Sequence, residues 1–353
     1  MLVRNFKTGS FISGLAATTL NPDIAYGASR LRRVRNPLSP VILPTAQGST
    51  SGYTSGGGPP LGGVNNTIDK FPFASDANAT DVGDLSVRRL GSAGQSSTAS
   101  GYTSGGYGFP TGSPPGVFTN IIDKFPFATN ANATDVGDVT TLMYRQAGQS
   151  STENGYTCGG NAPTGLSNTI DKFPFATNAN ATDVGDLTSA RGGAGQSSTT
   201  EGYTSGGYTT TPPFFSVNII DKFPFASNAN ASDVGDLTQG RYDLTGQNSD
   251  TSGYVSGGGR GALERVVNTI DKFPFASNAN ATDVGDLTQT RNSPAGQSST
   301  ASGYTSGGQF TAPPAPPTPP LNTIDKFPFA SDANATDVGD LSLSRYKSAG
   351  QQV

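Results

Sequence analysis

Apolar and polar positions alternate in short runs, and one run returns along the whole chain. From Ile68 to Phe73 the order Ile-Asp-Lys-Phe-Pro-Phe sends Asp69, Phe71 and Phe73 to one face of an extended segment and Ile68 and Lys70 to the other, because side chains alternate across a strand. The run starts again at Ile122, Ile170, Ile220, Ile270 and Ile324, at spacings of 54, 48, 50, 50 and 54 residues. Six units of this length have the period of propeller blades. With small departures, each unit reads Gly-Tyr-Thr-Ser-Gly-Gly, a variable stretch, Ile-Asp-Lys-Phe-Pro-Phe, Asn-Ala-Thr-Asp-Val-Gly-Asp-Leu, an Arg, and Ala-Gly-Gln-Ser. That order predicts four short strands per unit. The twelve Phe of the repeated run are expected to pack between blades, each ring contributing about 1.5–3 kcal/mol on burial. Pro72 predicts weakened pairing or a bulge at its own position.

The chain ends carry the pattern further. Gly52 to Gly57 begin it midway through a unit and Ser348 to Gln351 end it midway, so the two fragments add up to one blade. A closed ring leaves no free strand edge, whereas an open solenoid needs polar capping repeats that the sequence lacks. The expectation is an all-β six-bladed propeller in which N- and C-terminal strands share one blade. A strand ending in Gly-Gly, a strand carrying Ile-Asp, and a later Arg before a small-residue strand resemble kelch repeats over residues 46–353. Kelch blades usually carry a Trp where Val82 and its five equivalents stand, so the resemblance is to a kelch-like propeller.

Composition agrees: 47 Gly, 25 Pro, 33% hydrophobic residues and no Trp or His describe strands and turns, with helices nearly absent. A net charge of −4 gives no basic field for nucleic acid. No apolar run approaches the ~20 residues of a membrane span, and Phe11 to Leu20 is too interrupted to read as a cleaved leader. Lone Cys158 forms no internal disulfide and reads as a structural thiol.

Without His, and with one Cys beside no base, nucleophilic and acid–base catalysis lose their usual residues. The abundant Asp recur in every unit, which suits a scaffold better than a single active site. Asp76, Asn78, Asp81 and Asp84 space oxygen ligands as calcium loops do, but no copy has the closing Glu, and such residues also satisfy turns, so no cofactor is expected. The Gly-Gly pairs are read as sites of close backbone approach, not phosphate loops. Gln95, Gln149, Gln196, Gln247, Gln297 and Gln351 are expected to ring the central channel, fixing register through mutual hydrogen bonds. Arg89, Arg145, Arg191, Arg241, Arg291 and Arg345 are expected to pair with blade carboxylates, Arg145 standing two places late in its unit.

Function is expected where the units diverge. Between Gly-Gly and Asn-Thr-Ile-Asp they differ in length and content, and in a propeller these stretches emerge on one face as loops on a rigid frame. Candidate binding residues there are Tyr107, Phe109, Phe118, Tyr208, Phe214, Phe215, Arg260, Phe310, Pro313 and Pro316, proline lowering the entropy lost on binding. Residues 1–45 match no unit and hold Arg30, Arg32, Arg33 and Arg35, which reads as an extended anchoring arm for an acidic groove. Units with Ile-Asp-Lys-Phe-Pro-Phe and Asp-Val-Gly-Asp-Leu also resemble uncharacterised kelch-like repeat proteins encoded by marine bacteriophages. That resemblance implies a non-enzymatic virion-surface protein, decorating capsid or tail, whose partners are other virion proteins and a host-surface protein or glycan. A cellular adhesion or scaffold propeller at a bacterial surface is the alternative, and a carbohydrate-active enzyme the third reading.

Overall fold

The computed structural model describes residues 47–60, 63–109, 116–210, 216–261, 265–310 and 319–353. The arm with Arg30, Arg32, Arg33 and Arg35 lies outside the described residues, as do Phe214, Phe215, Pro313 and Pro316.

Among the described residues there is no helix, and the strands form six antiparallel blades. In the second blade the inner strand Ala93–Ser96 pairs with Ser100–Gly108, which pairs with Val117–Pro126, which pairs with the outer strand Thr134–Asp138. The first blade is built from both ends of the chain: Ala349–Gln352 lies inside Ser51–Gly57, followed by Asn65–Pro72 and Thr80–Asp84. The ring is therefore closed by hydrogen bonds between Gly52–Ser55 and Ala349–Gln352, as the terminal half-units predict.

The inner strands follow one another in a cycle around the axis. Glycine makes this possible, since a Cβ on any of Gly94, Gly148, Gly195, Gly246, Gly296 and Gly350 would strike the backbone of the preceding blade's glycine. The Gly-Gly pairs also bear out close approach: Gly56 and Gly57 have φ of 64° and 110°, and a Cβ on Gly56 would lie 2.6 Å from the Arg89 carbonyl. Both are positions only glycine fills cheaply.

The apolar core sits between blades. Tyr53, Ile68 and Leu85 of the first blade pack with Phe125, Phe127 and Ala133 of the second. Each blade's Tyr packs on the next blade's Phe, stacked in five junctions and tilted for Tyr53–Phe127, with ring centroids 4.7 Å apart for Tyr304–Phe73 and Tyr102–Phe175, a geometry worth about 0.5–1.5 kcal/mol beyond burial. Val82, where a kelch blade has Trp, packs at the margin of this cluster. Pro72 behaves differently from expectation: it ends its strand, paired with Ser51, and the bulge falls at Ile68–Asp69 opposite Asp81–Gly83. A strand end needs no further N–H, so Pro costs nothing there.

Polar side chains fix the junctions. Five Arg are fully buried against Asp: Arg89–Asp123 at 3.0 Å, Arg191–Asp221 at 2.8 Å, Arg241–Asp271 at 2.7 Å, Arg291–Asp325 at 2.8 Å, and Arg345–Asp69. Each joins the connector leaving one blade to the third strand of the next. Two expectations need correcting. The Gln side chains bond to the neighbouring blade and not to one another: Gln95 Nε2 donates to the Tyr156 carbonyl at 3.0 Å and Gln297 Nε2 to that of Tyr53 at 2.9 Å. Arg145 takes no place among the buried pins. Counting back from Ala147, the pin position is Met143, fully buried.

Candidate functional site

Strand direction decides which connections share a face. Each inner strand runs antiparallel to the second strand, so its start lies beside the variable stretch that follows Gly-Gly. The connector reaching that start pairs with the variable stretch: Leu90 with Tyr107, Tyr144 with Asn161, Tyr242 with Gly259, Asn292 with Gln309, and Tyr346 with Gly58. The described parts of these connectors and variable stretches thus lie on one face around the channel mouth.

The expected aromatic residues are partly engaged with one another. Tyr107 meets Phe118 edge-on at 5.6 Å and Phe109 at 6.1 Å, and Phe118 meets Tyr144 at 5.3 Å. This cluster roofs the junction of the second and third blades, and its rings are half-buried. Arg260 is exposed on the short hairpin Gly259–Arg260 with Arg265–Val266. Tyr208 stands inward of these, its hydroxyl accepting a 2.7 Å hydrogen bond from Asn161 Nδ2. Phe310 is half-buried.

The side chains brought together most closely were absent from the expected site. Two places after the Arg slot, each connector turns at the channel mouth, and four of these residues, Arg145, Asp243, Ser293 and Lys347, have φ between 51° and 61°. They are the non-glycine residues in left-handed backbone among the described residues, a conformation that costs about 1–3 kcal/mol each. The fifth equivalent is Gly91, with φ of 67°. A ladder of backbone bonds links them: Arg145 N–H to Gly91 O at 2.5 Å, Gly91 N–H to Lys347 O at 2.7 Å, Lys347 N–H to Ser293 O at 2.7 Å, and Ser293 N–H to Asp243 O at 2.6 Å.

The ladder stops at the fourth blade, whose connector Arg191-Gly192-Gly193-Ala194 is one residue shorter than Arg89 to Ala93. Side chains bridge the gap instead. Arg145 Nη2 reaches Asp243 Oδ2 at 3.1 Å, with the two side chains 25% and 10% exposed. The guanidinium lies 5.4 Å from the Tyr144 ring centroid and 5.9 Å from that of Tyr208, within cation–π range. Inside this collar is a cavity of about 130 Å³, floored by the inner-strand glycines. A second, about 50 Å³ and lined by Ser96 with its counterparts Ser150, Ser197, Asn248, Ser298 and Gln352, opens at the opposite end. The signal for the collar was present as a count: measured back from Ala-Gly-Gln, Arg145 falls in the same slot as Gly91, Asp243, Ser293 and Lys347.

The calcium-like residues lie on the other face and are bound up in structure. Asp76 pairs with Lys326 Nζ at 3.1 Å, Asp81 Oδ1 accepts the Gly83 N–H at 3.1 Å, and Asn78 Oδ1 accepts the Asp340 N–H at 3.0 Å. The Asp84 N–H donates to Asn132 of the next blade at 3.0 Å. Among the described residues no three His, Cys, Asp or Glu gather as a metal site. Cys158 is buried and donates to Gln149 Oε1 at 3.1 Å, and burial pushes its thiol pKa up. No protein-family model and no curated protein matches the sequence.

Proposed function

We propose that the chain is a non-enzymatic binding and assembly protein, a rigid propeller held by its arm and presenting one variable face. The observation that carries this reading is the confinement of variation: outside the variable face the blades repeat nearly verbatim, and within it every blade differs. Loops positioned by a rigid scaffold are where binding residues are disproportionately found.

The chain also joins the propeller on the opposite face. Gly48 N–H donates to Ser298 O at 2.8 Å, and Gln47 Nε2 to Asn248 O at 3.0 Å, at the far ends of inner strands from the variable stretches. The resemblance of the units to phage-encoded repeat proteins directs the proposal to a virion surface, on capsid or tail.

The test is a pair of variants. Removing residues 1–45 is expected to leave a folded propeller that no longer joins its particle or partner complex, measured by co-sedimentation. Replacing residues 312–320 with Phe214 and Phe215 by Gly/Ser is expected to spare assembly and weaken contact with a host surface. If the arm-less chain still assembles and the loop variant does not, the orientation is reversed.

A further inference from the structure

The collar is a feature of the variable face that the blade repeat does not require, because Gly91 meets the backbone demand without a side chain. We propose that the channel mouth binds a small oxyanion, a carboxylate first of all, between the Arg145 guanidinium and the Lys347 ammonium. This site stands whether or not the protein belongs to a virion.

Charge gives the sign of the ligand. Two cations and one carboxylate, Asp243, face a cavity of about 130 Å³. Asp243 is already committed to Arg145, while Lys347 makes no ion pair among the described residues and rests 5.5 Å from the Tyr346 ring centroid. Burial first, and Arg145 across the mouth second, draw the Lys347 pKa down, with Asp243 opposing. An anion seated there offsets the repulsion from Arg145 and gives the buried ammonium a counter-charge.

Geometry makes the site ready. Arg145 is held by Asp243 and by two Tyr rings, so little of its freedom remains to be lost on binding. Its buried Nε has no hydrogen-bond partner among the described residues. Ser293, 5% exposed, also lines the cavity with its hydroxyl unpartnered among the described residues. Buried polar atoms without partners are uncommon in folded proteins. The volume admits an ion of a few heavy atoms and is well below the ~300–1,000 Å³ of sites for drug-sized ligands. The same carboxylate chemistry comes from a free anion or from an acidic side chain that a partner inserts into the mouth.

The experiment titrates the full chain with acetate, inorganic phosphate and a blocked Gly-Asp-Gly peptide at constant ionic strength, following calorimetry and the Lys347 resonance in ¹³C-lysine NMR. Saturable binding that raises the Lys347 pKa is expected. Lys347→Met should weaken it about tenfold or more, the worth of a charged hydrogen bond. Asp243→Asn should tighten it by removing the competing carboxylate, a gain that a purely structural collar would not give, and it keeps the test open if Lys347→Met does not fold. Peptide binding well above acetate assigns the site to a partner's side chain, and equal binding to a free anion. No saturable binding by any probe, or equal affinity in Lys347→Met, overturns the proposal.

Discussion

The junction between the fourth and fifth blades and that between the second and third are built from the same backbone, yet they solve one electrostatic problem differently. In the former, Asp271 is buried with Arg241 at 2.7 Å and with Thr238 Oγ1 at 2.7 Å, and Arg241 also donates to the Gly257 and Thr269 carbonyls at 2.8 and 2.9 Å. In the latter, Asp171 is equally buried and keeps its Thr140 at 2.7 Å, but Met143 stands where the cation would be. Burial accordingly pushes the Asp171 pKa up, with Thr140 opposing. The third blade departs at two further buried points: Cys158 replaces a Ser, and Thr157 Oγ1 has no partner among the described residues. The comparison teaches that the ring tolerates one unpinned junction, so the pins act as local braces and not as a condition for closing the circle.

Four substitutions would sharpen or break this comparison. The largest effect is expected from Arg241→Met, which copies the natural third-blade junction into the fifth blade. It strands a buried carboxylate and two carbonyls, and should cost about 3–5 kcal/mol in urea unfolding; a loss below ~1 kcal/mol would mean that the Arg pins are ornamental.

The second prediction reverses sign between sites. Asp271→Asn should destabilise by several kcal/mol, because it leaves Arg241 uncompensated, whereas Asp171→Asn should be neutral or stabilising by about 1 kcal/mol near pH 7. The pH dependence follows. A carboxyl whose pKa is raised on folding opposes folding when ionised, so its penalty is absent below the unfolded pKa. It grows as pH rises from the ordinary aspartate value through the raised folded one. Wild type should therefore lose stability relative to Asp171→Asn across that window, measured by thermal melts at several pH values; parallel curves would show that Asp171 is not the strained group.

The smallest effect is expected from Met143→Arg. Supplying the missing cation should gain about 1 kcal/mol, because two desolvated charges return little more than they cost. The gain should vanish in the double variant with Asp171→Asn. A loss in the single variant would show that the junction has repacked around Met143.

Much of the frame was legible because it is repetitive and local. Blade number followed from the period of Ile-Asp-Lys-Phe-Pro-Phe, inter-blade packing from the alternation that sets Phe71 and Phe73 on one face, and closure from the two terminal half-units. Pro72 was misjudged because a Pro reads as a disruption until the strand end is located. The Gln ties were misplaced for a different reason: a residue on a strand of period two points to one of two sides, and the side facing the next blade is known only once the ring is assembled.

By itself the sequence determined the fold, since strand, turn and period are properties of each unit and six copies of one unit can bury their edges only by closing. The tertiary structure alone decided the collar. Arg145, Asp243 and Lys347 follow one another at intervals of 98 and 104 residues, and the Arg145–Asp243 contact spans the fourth blade, where the connector is one residue shorter and the backbone ladder stops. Contacts across the axis of a ring have no local signature, because closure brings together what the repeat has spaced evenly apart.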